Sequence, residues 1–262
     1  MGILNVTPDS FADGGMHNSV PAALNRAQEM ISEGVDIIDV GGESTRPGAE
    51  RVTEAEELLR TIPVIEAIAK SFSNTTISID TTRANVAREA FKAGAKIIND
   101  VSGGLADPKM AELVANSGVK YVVMHWRGSS DTMQSKAVYE DVNSEVITEL
   151  LARVDSLKST GVLESQIILD PGLGFSKLPE HNWEIVQNLE LFTNLGFPIL
   201  IGASRKRFLG EELTPTERES ASIAITSLCA KSKIWAVRTH SVKDHKTAID
   251  IVDKSNSESE AM

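Results

Sequence analysis

Short β-branched runs alternate with segments of helical periodicity eight times along this 262-residue chain, and that strict alternation restricts the fold more than any other feature. Strands are predicted at Gly2–Asn5, Asp36–Val40, Thr76–Asp80, Lys96–Asp100, Lys120–His125, Gln166–Asp170, Pro198–Gly202 and Ile234–His240. Helices are predicted at Val20–Glu33, Thr53–Lys70, Arg83–Ala93, Pro108–Ser117, Val142–Thr160, Asn182–Leu195, Thr216–Lys231 and Lys243–Asp253. Such alternation requires parallel strands with crossover helices, and eight units in this length fit a closed (β/α)8 TIM barrel better than an open doubly wound sheet. Gly34, Gly94, Gly118, Gly161 and Gly196 each stand just past a helical pattern, where a left-handed stop is needed, and the next strand follows closely. The turns from helix to strand are therefore short. The long connections, 6–19, 41–52, 126–141, 171–181 and 203–215, all follow strands, at the end where barrel enzymes build their sites. One catalytic domain over 1–253 is expected, with the polar, aperiodic stretch 254–262 (KSNSESEAM) as a disordered tail.

Charge and apolar content exclude several classes. A net charge of -11 opposes a nucleic-acid-coating surface, so no nucleic-acid partner is expected. No apolar run is long enough to span a bilayer, no basic-then-apolar leader precedes the first strand, and Met1 lies directly against that strand; cytoplasmic location without membrane contact is the expectation, with some trimming of the native start. Cys229, in the apolar stretch 221–230, reads as a buried thiol, and the five histidines are too scattered for a local zinc motif. Within this acidic chain the run Arg205-Lys206-Arg207 stands out, because it follows an apolar strand directly. An anionic ligand would need such locally concentrated cations.

The residues at the strand ends are almost all polar: Asn5, Asp39, Asp80, Asn99-Asp100, His125, Asp170, Ser204 to Arg207, and Arg238 with His240. Any one of the acids can be a helix N-cap, as Asp80 before Thr81-Thr82-Arg83 or Asp170 before Pro171 can. In a closed barrel, however, these ends converge on one mouth. Asp80, Asn99 and Asp170 carry the groups needed to read a flat heterocycle with amino and ring N–H donors, and a lysine in the same pocket can donate to a carbonyl or ring nitrogen. Arg238 and His240, two apart on a strand, face one way and suit a phosphate group. Two loops combine glycines with polar residues, Asn5-Val-Thr-Pro-Asp-Ser-Phe-Ala-Asp-Gly-Gly15 and Gly41-Gly-Glu-Ser-Thr-Arg-Pro-Gly48, a composition suited to closing over a substrate. Asn5 and Asp13 offer hard oxygen donors for a Mg2+ that bridges phosphate oxygens.

Taken together, Asn5-Val-Thr-Pro-Asp-Ser-Phe11, Asp39-Val-Gly-Gly-Glu-Ser-Thr-Arg-Pro-Gly48, Ser78-Ile-Asp-Thr81, Ile98-Asn-Asp-Val-Ser-Gly-Gly104, Leu169-Asp-Pro-Gly-Leu-Gly-Phe175, Gly202-Ala-Ser-Arg-Lys206 and Arg238-Thr-His240 resemble the dihydropteroate synthases, in order through the whole barrel. Val123-Met-His-Trp126 and Ser204-Arg-Lys-Arg-Phe-Leu-Gly210 are most similar to the actinobacterial branch. The resemblance implies condensation of 6-hydroxymethyl-7,8-dihydropterin pyrophosphate with p-aminobenzoate to 7,8-dihydropteroate, in folate biosynthesis, with Mg2+ and release of pyrophosphate. It implies pterin contacts at Asp80, Asn99, Asp170, Lys206 and Met124, and pyrophosphate contacts at Asn5, Arg238 and His240. Thr45, Pro47, Phe175, Lys206 and Arg207 would shape the p-aminobenzoate pocket, where sulfonamides compete. Asp13 and Arg46 would belong to two loops that order over the site and are mobile without substrate, and a homodimer is implied. Asp13, Arg46, Lys206, Arg238 and His240 are the implied catalytic residues, with Asn5 and Asp13 on the metal.

Such a site needs no nucleophilic side chain, because a CH2 next to an electron-rich dihydropterin can lose its leaving group before the amine attacks; positioning and charge neutralisation suffice. Two departures from the family pattern stand out. Ser241 occupies a position where relatives often carry Asp, and the 210–215 stretch is short, both near the units that contribute the family's dimer contact. Arg205 and Arg207 remain open between salt bridges, backbone-only roles and substrate contact. The alternatives are a methyl-folate-binding methyltransferase barrel and an inactive paralogue serving as a binding subunit.

Overall fold

The structure is a computed structural model that describes residues 1–6, 19–43, 52–128 and 132–260. Its strands are β1 (Gly2–Asn5), β2 (Ile37–Gly41), β3 (Thr76–Asp80), β4 (Ile97–Asp100), β5 (Lys120–Met124), β6 (Ile167–Asp170), β7 (Leu200–Ile201) and β8 (Ala236–Val237). Its helices are α1 (Ser19–Ser32), α2 (Glu54–Ser71), α3 (Ala84–Ala93), α4 (Met110–Ser117), α5 (Val142–Ser159), α6 (Pro179–Gln187), α7 (Leu189–Thr193), α8 (Glu219–Lys231) and α9 (Val242–Glu260). All eight predicted strands are present, in parallel.

Strands β1 to β6 pair in sequence order, and β7 pairs with β8. Two seams join these sets into a closed barrel. At one, the Leu169 N–H donates to the Pro198 carbonyl at 2.9 Å; at the other, Ile3 N–H donates to Thr239 and Thr239 N–H to Met1, at 2.9 and 3.0 Å. The Met1 ammonium also donates to the Val237 carbonyl at 2.9 Å. Closure removes the unpaired edges that an open sheet of this kind would expose.

Side chains alternate inward and outward along each strand. The outward set (Leu4, Ile38, Val40, Ile77, Ile79, Ile98 and their equivalents) packs against the helices as the main core. The inward set begins with Met1, Ile37, Ile97, Val122, Ile168 and Leu200, which form a separate apolar plug at the barrel floor. Two residues further along the same strands, on the same inward side, stand Asp39, Asn99, Met124, Asp170 and Gly202, and the register aligns Asn5 with Gly41, Gly41 with Asp80, and Asp80 with Asn99. The interior thus turns from apolar to polar within one step of two residues.

Helix ends follow local chemistry. The Thr53 side chain accepts from the Glu56 N–H at 3.2 Å, and Asp141 caps α5 through the Ser144 N–H at 2.9 Å. The five predicted glycine stops all take positive φ, from 71° at Gly118 to 121° at Gly94. Three expectations give way. The helix predicted over 182–195 starts earlier, at Pro179, and breaks at Asn188, whose side chain donates back to the Glu184 carbonyl at 2.8 Å and leaves the helical conformation. Strands β7 and β8 are shorter than predicted, because the chain leaves regular pairing where it forms the two seams. Residues 254–260, expected as a disordered tail, continue α9 to Glu260; no Gly or Pro interrupts the stretch, so the helix propagates.

At Gly94 an added Cβ would lie 2.8 Å from the Ala69 Cβ, at a φ of 121° that side chains rarely adopt. Gly94→Ala is expected to cost about 2 kcal/mol and to lower Tm by roughly 4–8 °C, measured by thermal denaturation.

Candidate active site

The polar end of the barrel interior is organised by Arg238, which extends the line of β8. Its Nε donates to Asp39 Oδ2 at 2.6 Å and its Nη2 to Asp80 Oδ2 at 2.7 Å. Asn99 Nδ2 donates to the same Asp39 oxygen at 3.0 Å. Asp39, on β2, is fully buried, and its Oδ1 has no hydrogen-bond partner among the described residues. Asp80 does not cap α3; the Ala84 N–H is served by Asp107 at 2.8 Å, and Asp80 faces the barrel axis. Burial pushes the Asp80 carboxyl up to about 7, with Arg238 pulling the other way and Asp39 adding to the rise.

Asp170, at the end of β6, has two roles. Its Oδ1 accepts from the Gly172 N–H at 2.7 Å, which shapes the turn, and burial raises its carboxyl against the pull of Lys206. Lys206 reaches across from the connection after β7. Its Nζ donates to the Leu173 carbonyl and lies 4.6 Å from the centroid of the Phe175 ring, a cation–π contact. Burial brings the Lys206 ammonium down to about 8, although Asp170 opposes this. Gly174, with φ of 76°, lets Lys206 lie close: a Cβ there would stand 2.9 Å from Lys206 Cδ.

Asp80, Asn99, Met124, Asp170, Lys206 and Phe175 therefore share one mouth. Asn5 joins them, its Oδ1 3.6 Å from where a Gly41 Cβ would stand, on the side that also faces Asp80. His240 is two residues beyond Arg238, and its Nδ1 is 2.9 Å from Ser204 Oγ. Arg238, expected at the pyrophosphate, is here bound to two carboxylates, and among the described residues no other cation is paired with them. Arg205 is a salt-bridge residue: its Nε meets Glu219 Oε2 at 2.7 Å. Arg207 is exposed at the start of a short 3-10 turn. Ser241 donates to the other Glu219 oxygen, which His245 also approaches at 3.2 Å. The expectations for Asp13, Thr45, Arg46 and Pro47, and for the order of their loops, fall outside the described residues. At the two ends of the second loop, Arg83 binds both Glu43 Oε2 at 2.8 Å and the Val52 carbonyl at 2.6 Å.

Asp39 and His125 stood among the polar strand ends in the sequence but carried no assigned role there. Lys177 gave no signal: its buried Nζ, 3.0 Å from His125 Nδ1, joins two connections that carry no shared pattern. Asp100 looked like a site residue but is satisfied internally, by Ser102, Gly104 and Tyr121 at 2.6–2.9 Å.

Residues 1–240 match the model of a family described as pterin binding enzyme. The dihydropteroate synthase of Mycobacterium leprae is 47% identical over 261 residues, spanning 96% of this chain and 91% of the relative. The crystal structure of Yersinia pestis dihydropteroate synthase in complex with a sulfonamide drug superposes with a TM-score of 0.92 at 39% identity, covering 98% of this chain and 94% of that one. Xanthomonas albilineans dihydropteroate synthase with 4-aminobenzoic acid gives 0.91 at 38% identity, covering 98% and 92%.

The raised Asp80 carboxyl makes stability depend on pH. The folded chain keeps a proton that the unfolded chain releases above about 3.8, so this contribution is full below that value and is lost as pH rises through about 7. Asp80→Asn removes the dependence. Denaturant melts at pH 5 and pH 8 should show the variant gaining on the native protein by on the order of 2 kcal/mol at the higher pH.

Proposed function

This chain belongs to the family of pterin binding enzymes, and on that footing we propose that it is a dihydropteroate synthase, joining 6-hydroxymethyl-7,8-dihydropterin pyrophosphate to p-aminobenzoate in folate biosynthesis. The observation that carries the reading is the convergence of Asp80, Asn99, Asp170 and Lys206 from four strand ends on one barrel mouth, above an apolar floor. Sulfonamides, seen with the Yersinia relative, are then expected competitors for the aryl-amine pocket. The methyl-folate-binding reading is weaker, because relatives at this identity over nearly the whole chain carry the synthase name.

In this mechanism the pterin lies flat in the mouth. Asp80 and Asp170 accept its amino and ring N–H groups, Asn99 both donates and accepts, and Lys206 donates to a carbonyl or ring nitrogen. A ligand N–H on Asp80 favours its ionised form and competes with Arg238 for that carboxylate. Arg238 is then free to turn toward the leaving group, with His240 beside it. The C–O bond breaks with its electron pair going to pyrophosphate, and the dihydropterin ring stabilises the resulting cation. The arylamine lone pair then forms the C–N bond, and its surplus proton leaves to water or pyrophosphate. Lys206 and Phe175 border the place the amine must occupy, so the chain supplies proximity and fixed charge rather than a covalent intermediate.

A Mg2+ ion fits this scheme through Asn5 and Asp13. The Asn5 amide oxygen lies beside Asp80 at the mouth, and no group of three or more His, Cys, Asp or Glu that could hold a metal occurs among the described residues. That donor set suits a cation that takes most of its ligands from phosphate and water, where it would neutralise leaving-group charge. The same proposal includes cytoplasmic action and a homodimer. Trp183, Leu191, Leu228 and Trp235 are large apolar side chains left 39–47% exposed in the sixth to eighth units, where the family resemblance puts the dimer contact.

Lys206→Ala should fold and yet lose roughly 10²-fold or more in kcat/KM, read by dihydropteroate formation. Near-native kinetics would remove this lysine from the site. Chelation should abolish product formation and added Mg2+ restore it; full turnover in excess chelator would exclude the roles given to Asn5 and Asp13.

A further inference from the structure

We propose that Lys177 is a positioning residue for the aryl-amine half of the site: it ties the β6–α6 connection to the end of β5 and so fixes Phe175 and Lys206 against each other. This rests on the synthase reading above and goes beyond it, to a residue with no reach to substrate.

Lys177 is 3% exposed, and its Nζ has three acceptors: His125 Nδ1 at 3.0 Å and the carbonyls of Gly172 and Phe175 at 3.1 Å each. Three acceptors take the three N–H groups of an ammonium, leaving none for a ligand. His125 presents Nδ1 as the acceptor because its Nε2 faces Glu149 Oε2 at 2.9 Å, and Glu149 is held down to about 2, as a carboxylate, by His125 and Arg127. Arg127 in turn binds the Val138 carbonyl at 2.7 Å and lies 3.9 Å over the Tyr139 ring. The Tyr139 hydroxyl donates to the Ser176 carbonyl at 2.8 Å, so the segments after β5 and β6 are joined a second time.

The connection has little slack around this anchor. A Cβ on Gly172 would lie 2.7 Å from the His125 carbonyl oxygen, and one on Gly174 would lie 2.9 Å from Lys206 Cδ. Leu173 supplies the carbonyl that receives Lys206, and Phe175 supplies the ring beneath its ammonium. The two carbonyls bound by Lys177, those of Gly172 and Phe175, bracket these contacts. Releasing Lys177 therefore lets the Phe175 ring and the Lys206 head move relative to Asp80 and Asn99, which β3 and β4 hold independently, while Asp170 keeps its own bond to the Gly172 N–H.

The titratable groups facing Lys177 are the neutral His125 just past β5, Asp170 from β6, Lys206 from the β7 connection, Arg127 from the β5 connection and Glu149 from α5. Burial, with help from Lys206 and Arg127 and against Asp170 and Glu149, brings the Lys177 ammonium down to about 7. Above that pH one N–H is lost and one of the three tethers opens.

The test compares Lys177→Met, which keeps the apolar stem and removes the donors, with the native enzyme. We expect KM for p-aminobenzoate to rise about tenfold or more, with pterin pyrophosphate affinity by calorimetry within about threefold. KM of the native enzyme should also climb between about pH 6 and pH 9, and the variant should lack that part of the climb. A second pair tests the other end of the tether: His125→Leu removes the acceptor and should raise KM about threefold, while His125→Asn, whose Oδ1 replaces Nδ1, should stay within about twofold of native. This pair decides the matter if Lys177→Met fails to fold. An active native enzyme with a folded Lys177→Met of unchanged KM and unchanged pH profile, or with both His125 variants alike, overturns the positioning role alone. A native enzyme that makes no product overturns the functional reading itself.

Discussion

The Arg238 guanidinium ties the last strand of the barrel to carboxylates on two of its first three strands. It reaches from the end of β8 past β1 to carboxylates on β2 and β3, at 2.6 and 2.7 Å, and so spans one of the two seams that close the barrel. The same contacts create the polar pocket, because without a cation Asp39 and Asp80 would be two buried acids on neighbouring strands. Removing one partner of such a buried set generally costs about 3–5 kcal/mol, since the remaining charge is left uncompensated. A single guanidinium thus serves closure and recognition at once. The proposed function asks it to leave Asp80 when ligand arrives, while the backbone bonds of Met1 and Ile3 with Val237 and Thr239 hold the seam itself.

Much of this was legible in the residues. Eight alternations of β-branched run and helical period, punctuated by glycines at helix ends, indicated the barrel, and the convergence of strand ends in a closed barrel brought Asp80, Asn99 and Asp170 to one mouth. The register does the rest, aligning Asn5, Gly41, Asp80 and Asn99 across four strands. What escaped the sequence has physical causes. Asn188 breaks a helix through a bond from its own side chain, which competes with periodicity on nearly equal terms. Residues 254–260 extend α9 although their composition is that of a tail, because polar residues without Gly or Pro have no reason to stop a helix already nucleated. Arg205 and Lys206 are neighbours with the same formal charge, and only tertiary contacts send one to Glu219 and the other into the site.

Lys177 illustrates the same limit at the site itself. A lysine in a polar loop looks like any surface cation until the fold encloses it with two carbonyls and an imidazole. The partners come from two different connections, and neither connection carries a spacing that would announce the other. Local patterns report which way a side chain points along a strand; they do not report which loops meet.

The seam between β8 and β1 also sets a timetable for the chain. Thr239 exchanges backbone hydrogen bonds with Ile3 and Met1, and Met1 also binds Val237, 236 positions further along the chain. During synthesis β1 therefore emerges long before its partner on that side. Until then β1 has β2 on one side and an open edge on the other, and the acidic mouth lacks the guanidinium that β8 delivers. Completion of the barrel and assembly of its recognition chemistry are therefore one late event, after translation has passed the eighth strand.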